Sequence, residues 1–496
     1  MKVLIFHGYL LRGTGSNVYN ASLATALARL GHEVHVVCQD RDPPELGAGG
    51  PGSVTVHTPD IGGLLPVFVH DAYEGFEVKT FAELTDAELD RYISANVTAV
   101  RELVDSVDGF DAALANHLVM GPVILGRAGL DYALAIHGSD LSYTVIPDLD
   151  RWGPYAQEAC DGAAGILVGS GHIAARLREA VDDPQTNAKV RLGPPGVDTR
   201  LFAPVPRSER RAALEALAAE LRERDEPQTG SSWDRDPEAA AGAIDWFAEA
   251  DGSRVIFVGK LIVSKGVDLL LAAWPLVHSA RPGARLLIVG FGALEPVLRD
   301  IWDGLAHGGL GPLRALADRG RGLEDGEEER LRMLSAFLDR LPADYGDAAR
   351  GAAGSVRFSG RLEHEEVAVP VASSAALVFP STFPEAFGMV AAEAASTGAL
   401  PVSAAHSGAA EVSQALAADL PDVARHLVSF ELRDDAVEAI AARLRGWLEL
   451  DPADRRAASA SLRDTVERLW SWESVARGVL DASAGRLDGL PVPKSD

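Results

Sequence analysis

The chain has 496 residues, a length suited to two to four domains rather than one, and 47% of them are hydrophobic, enough to bury a substantial core. Its 72 acidic residues outnumber 46 basic ones, and the net charge of −26 disfavours a nucleic-acid or anionic-membrane surface. Cys38 and Cys160 form neither a disulfide framework nor a metal-ligand spacing, and the apolar start ends at His7-Gly8, too short for a signal peptide or a membrane span, so the expected compartment is the cytoplasm.

Strand-like and helix-like stretches alternate nearly from end to end, the pattern of an α/β protein. Lys2 to Phe6 reads as a buried parallel strand, followed by a loop with Gly8, Gly13 and Gly15. Ser16 or Asn17 can cap the next helix, whose apolar face is Leu23, Leu27 and Leu30, and Gly31 stops it before a strand at Glu33 to Cys38. Further strands are expected at 112–115, 133–136 and 165–168, giving a first domain over 1–202.

A second series starts with a strand at Arg254 to Val258, a helix near 267–279 and a strand at 285–289. It continues at 356–358, 376–379, 400–403 and 426–430, so 203–470 reads as a second α/β domain and 471–496 as a closing helix and tail. Acidic stretches near 208–251 and 303–354 interrupt this rhythm and read as solvated helical insertions.

Gly13-Thr-Gly15-Ser-Asn-Val18, with Asp40 after the next strand, suggests a dinucleotide fingerprint. The loop is too long for one, and Val18 stands where the third glycine belongs. Glycines before a helix N-terminus still suit close approach to a phosphate or a sugar.

The second half carries more. Lys260 follows a strand and Lys265-Gly266 opens a helix, which places two cations and a helix N-terminus at one mouth of the sheet. That suits a diphosphate leaving group, although two lysines near a loop are by themselves as readily solvated surface. The segment Pro380-Ser381-Thr382-Phe383-Pro384-Glu385-Ala386-Phe387-Gly388-Met389 runs from a strand end through a turn into a helix that contains Glu393. A carboxylate among small apolar residues is costly unless something pairs with it. Alone, Glu385 reads as a helix-entry acid and Glu393 as a surface residue.

Together these segments resemble the large retaining GT-B glycosyltransferase family that includes sucrose synthase, glycogen synthase-like enzymes and bacterial lipid or inositol glycosyltransferases (family 4-like). The likeness rests on the Gly-rich first loop, RLGHEVHVV at 29–37, HGSDL at 137–141, GSGHIAARL at 169–177 and PPGVDTRLF at 194–202. It continues with VGKLIVSKGVDLLLAAW at 258–274, the acid pair spaced as Glu385 and Glu393, SGAAEV at 407–412 and SWESVARGVL at 471–480. It implies two Rossmann-like domains facing each other across a cleft, with a C-terminal helix crossing back.

The resemblance further implies a nucleotide-diphosphate sugar as donor, a sugar, lipid or small molecule as acceptor, and transfer of a hexose with retention. No cofactor and no metal are implied, since the lone Asp234-Arg235-Asp236 reads as chance. Glu393 would hold the ribose hydroxyls, Glu385 would lie beside the transferred sugar, and Lys260 and Lys265 would neutralise the diphosphate. The family more often has Arg at the first of these, so Lys260 keeps the charge without the fork. Phe387, Gly388 and Met389 would face sugar and phosphates through their amides, and Arg361 and Leu362 would border the base. From the first domain His137 would face the donor sugar, with Gly13 and Gly15 near phosphates or acceptor. A sugar phosphorylase, an epimerase or a non-catalytic sugar-nucleotide scaffold can share the architecture. No transmembrane segment is expected, and peripheral membrane contact stays open.

Overall fold

The computed structural model describes residues 1–11, 15–47, 50–68, 75–224, 235–250, 253–324 and 326–493; Gly13 and Asp234 lie outside them. The chain divides into two compact units, Met1–Gly196 with Leu469–Asp496, and Val197–Arg468.

The first unit contains β1 (Lys2–Phe6), β2 (Glu33–Val37), β3 (Ser53–His57), β4 (Leu64–Val67), β5 (Glu77–Thr80), β6 (Ala112–Asn116), β7 (Tyr132–Ile136), β8 (Ala163–Val168) and β9 (Val190–Leu192). Seven of these form a parallel sheet in the order β3-β2-β1-β6-β7-β8-β9, and β4 pairs with β5 apart from it. The inner strands are continuous apolar runs because helices cover both faces. Leu4 and Phe6 pack into one core, Val3 and Ile5 into the other.

The helix Ser16–Arg29 starts without the side-chain cap expected from Ser16 or Asn17. Its cap is Gly15, held at φ 63, a conformation that costs glycine little. The chain returns to this unit at its end. The helix Trp472–Ser483 buries Trp472 against Tyr19, ring centroids 5.4 Å apart, and a Cβ on Gly196 would lie 2.4 Å from the indole.

The second unit holds β10 (Arg254–Val258), β11 (Arg285–Val289), β12 (Val356–Gly360), β13 (Ala376–Phe379), β14 (Leu400–Ala404) and β15 (Ser429–Phe430). They form one parallel sheet in the order β12-β11-β10-β13-β14-β15. The stretches expected to be solvated insertions are solvated on one face only. In Arg210–Arg222 the residues Leu214, Leu217 and Leu221 are buried, and in Pro237–Ala248 so are Ile244 and Phe247. Glu295–Ala306 and Arg332–Asp339 bury Leu298, Ile301, Leu334 and Phe337 in the same way.

Both sheets reverse their direction of growth once. The chain lays down β1 to β3 outward and then resumes with β6 on the other side of β1; it lays down β10 to β12 and resumes with β13 on the other side of β10. In open parallel sheets the crevice at the carboxyl ends of the strands flanking such a switch is where ligands bind. The residues that leave β1, β6, β10 and β13 are therefore the ones to inspect.

Candidate functional site

At the switch of the second unit, β10 runs into Gly259-Lys260 and β13 into Pro380-Ser381. A short turn, Val263–Lys265, ends at Gly266, which has φ 67 and opens the helix Val267–Ala280. A Cβ there would stand 2.1 Å from the carbonyl of Pro380, so glycine is what lets the helix start press against the β13 exit. This brings Lys265 to Glu385: Nζ lies 2.5 Å from Oε1, and the Ser381 hydroxyl donates to the same oxygen at 2.6 Å. The backbone of Glu385 is held as well. Its N–H donates to Ser407 Oγ at 2.8 Å, and its carbonyl accepts from Gly408 N–H at 2.9 Å. Lys260 is exposed and forms no ion pair among the described residues.

Phe387 is buried, and Gly388 at φ 109 caps the helix Met389–Ser396. That helix has no side-chain cap and no acid in its first turn, so the partial positive charge of its N-terminus is not offset by its own side chains. Glu393, 7% exposed, accepts a hydrogen bond from His364 Nε2 at 2.8 Å, the partner that a carboxylate among alanines requires. Arg361 pairs with Glu363 at 2.8 Å and lies over the Phe291 ring at 5.9 Å, beside the buried Leu362.

The switch of the first unit is built from different groups. Each strand at this edge ends one residue before a histidine: Phe6 before His7, Asn116 before His117, Ile136 before His137. Two asparagines link them. Asn20 Nδ2 donates to His7 Nδ1 at 3.0 Å, leaving His7 Nε2 to donate to Asn17 Oδ1 at 2.9 Å. Asn116 Nδ2 donates to Asn20 Oδ1 at 2.7 Å, and Asn116 Oδ1 accepts from His137 Nε2 at 2.8 Å. His137 thus carries its proton on Nε2 and presents Nδ1 as an acceptor.

Asp140, fully buried, accepts from Gly138 N–H at 3.0 Å and from Leu118 N–H, tying the exits of β7 and β6 together. Burial holds all three imidazoles neutral: His7 is lowered to about 4, His137 to about 3, and His117 well below 6.5, with neighbouring histidines adding to the depression of the last two.

His117 is the anomaly. It is 3% exposed, sits at φ 66, and neither ring nitrogen has a hydrogen-bond partner. The Tyr19 hydroxyl, whose ring meets His137 edge-on at 4.9 Å, has none either. Unpaired buried polar groups cost about 1–3 kcal/mol each, and such costs persist where a ligand repays them. Tyr9 and Phe68 flank His117 with centroids 5.5 and 4.7 Å away.

Comparison with known proteins agrees with these two ends. Residues 13–201 match the model of Glycosyltransferase Family 4, and residues 346–461 match that of Glycosyl transferases group 1. The chain belongs to the family-4-like GT-B glycosyltransferases. It is 27% identical over 427 residues to a D-inositol 3-phosphate glycosyltransferase of Nocardioides sp., covering 83% of this chain and 76% of that one. It is also 27% identical over 220 residues to a GDP-mannose-dependent phosphatidylinositol monomannoside mannosyltransferase of Corynebacterium glutamicum, covering 43% and 42%. Two solved structures share the fold. Sucrose-phosphate synthase from Thermosynechococcus elongatus superposes with a TM-score of 0.55 at 18% identity over 96% of both chains. The Anabaena protein HepE, in complex with UDP and glucose, gives 0.55 at 15% identity over 98% of this chain and 99% of that one.

In this glycosyltransferase, Lys265, Glu385, Gly388 and Met389 gather at the β10–β13 switch, and Glu393 lies one helical turn further in. His137 stands at the corresponding end of the other unit, where Gly15 starts the first helix. Sequence reasoning missed His7, His117, Asn116, Ser381 and His364. A signal was present for the first two, because each follows directly on an apolar strand, as His137 does. Among the described residues of the glycosyltransferase, no helix is long and apolar enough to cross a membrane.

Proposed function

We propose that the enzyme transfers a sugar from a nucleotide-diphosphate sugar to a hydroxylated acceptor with retention at the anomeric carbon. The observation that carries this reading is the pairing of Lys265 with Glu385 at a sheet switch, next to a helix N-terminus that carries no acid of its own.

In this reading Lys265 and Lys260 face the diphosphate, whose charge grows as its bond to the sugar breaks, and the Met389 helix contributes its amides. The acceptor oxygen bonds to the anomeric carbon while the carbon–oxygen bond to the β-phosphate breaks on the same face. The acceptor proton passes to the departing phosphate oxygen, so no side chain must serve as nucleophile. Glu385 Oε1 is already held by Lys265 and Ser381, which fits a group that orients the hydroxyls of the sugar rather than one that attacks. Glu393 holds the ribose. His137, neutral and with Nδ1 free to accept, meets a hydroxyl at the switch of the first unit. An end lined by neutral imidazoles and amides suits uncharged hydroxyl-bearing rings better than phosphates.

The test is turnover of UDP-, GDP- and ADP-sugars by the parent and by Glu385→Gln, with the anomeric configuration of the product read by NMR. The expected result is nucleoside diphosphate release with a retained linkage, lowered about 10²- to 10³-fold by the substitution. A parent that inverts its product, or a variant as fast as the parent, contradicts the proposal.

A further inference from the structure

We propose that His364 is a positioning residue for donor recognition: it fixes the Glu393 carboxylate so that one oxygen is left to accept the ribose hydroxyls of a nucleoside diphosphate. The inference rests on the reading of Glu393 as the ribose-holding acid.

Glu393 is flanked by Ala391, Ala392, Ala394 and Ala395, all fully buried, and its Oε1 accepts from His364 Nε2 at 2.8 Å. No other hydrogen bond to its side chain is described, so Oε2 has its accepting capacity in reserve. A buried carboxylate without a donor would swing away or take up a proton, and either change removes an acceptor.

His364 itself is held from several sides. It is the first residue of the helix His364–Ala372, whose capping box joins Glu363 and Glu366. Buried Arg235 grips both acids, at 3.2 Å to Glu363 and 2.8 Å to Glu366, while Arg361 binds Glu363. The imidazole packs on the Phe202 ring at 5.1 Å, and the Phe202 carbonyl accepts from Ser396 Oγ at 2.8 Å, in the same helix as Glu393. Donor and acceptor therefore share one frame. The charged groups facing the ring are Glu393, Glu365 and Asp198. Burial disfavours the imidazolium, but these acids outweigh it and raise the pKa of His364, so the nitrogen facing Glu393 keeps its proton.

The same frame gives the segment before Pro237 a task. Arg235 joins it to the helix that carries His364, 131 positions away in sequence. This is positioning through a chain of contacts, as metal-ligating or catalytic groups are oriented by the residues behind them.

The experiment is titration calorimetry with UDP, GDP and ADP, and with the 2′,3′-dideoxy form of whichever binds the parent best. His364→Phe keeps a ring on Phe202 and removes the donor; His364→Gln keeps a donor. We expect His364→Phe to bind the nucleotide about tenfold more weakly, to lose most of the preference for the ribose over the dideoxyribose form, and to melt like the parent. His364→Gln should recover the preference. If Glu393→Gln weakens binding while His364→Phe keeps both affinity and preference, His364 has no positioning role. If Glu393→Gln itself leaves binding unchanged, the assignment of Glu393 falls and takes the inference with it. The same holds if none of the three diphosphates binds.

Discussion

The two sheet switches use opposite electrostatics on the same topology. The β1–β6 switch is lined by three histidines that burial keeps neutral, joined by asparagines. The β10–β13 switch carries an ion pair, an exposed lysine and a helix N-terminus. A parallel sheet supplies only the crevice, and the few residues after each strand decide whether it suits hydroxyls or phosphates. The contrast predicts that the units should respond differently to pH and to substitution.

The largest expected effect is on acid stability. A histidine whose folded pKa is lowered contributes its full stability above the unfolded value of 6.5 and loses it as pH falls towards the folded value. For His7, lowered to about 4, the loss at pH 5 is about 2 kcal/mol, and His117 and His137 act in the same direction. In the second unit, burial raises Asp268 to about 7. A carboxyl with a raised folded pKa has its full contribution below the unfolded value of 3.8 and loses it as pH climbs through 7. Hydrogen exchange resolved by peptide, run from pH 5 to 8, should show the first unit opening first at the acid end. Asp268→Asn should protect the second unit at the alkaline end. Acid opening that begins in the second unit would break the comparison.

A smaller and more pointed effect concerns His117. An unpaired buried imidazole is a liability unless a ligand uses it, so His117→Leu should leave the melting temperature unchanged or raise it by a few degrees. It should at the same time lower turnover about a hundredfold. Loss of stability with full activity would make His117 a packing residue.

These contrasts also explain what the sequence could tell. The inner strands were legible because strands covered on both faces are continuous apolar runs, such as Val255-Ile256-Phe257. The edge strand Ser53–His57 has no fully buried residue and escaped notice. The helix cap was misplaced because Gly15 acts through its backbone, which leaves no capping side chain to read. Lys265 and Glu385 could be singled out by motif, but their contact needs Gly266 pressed against Pro380, a fact of packing. The long-range pairs, Arg235 with Glu366 and His364 with Glu393, join segments whose spacing carries no signal.

The most direct test of the central claim compares a nucleoside diphosphate with its nucleoside. Calorimetry on the parent should show UDP, GDP or ADP binding at least a hundredfold more tightly than the matching nucleoside, and Lys265→Ala should shrink that gap to tenfold or less. A gap that survives in Lys265→Ala would place the phosphates elsewhere and contradict the account.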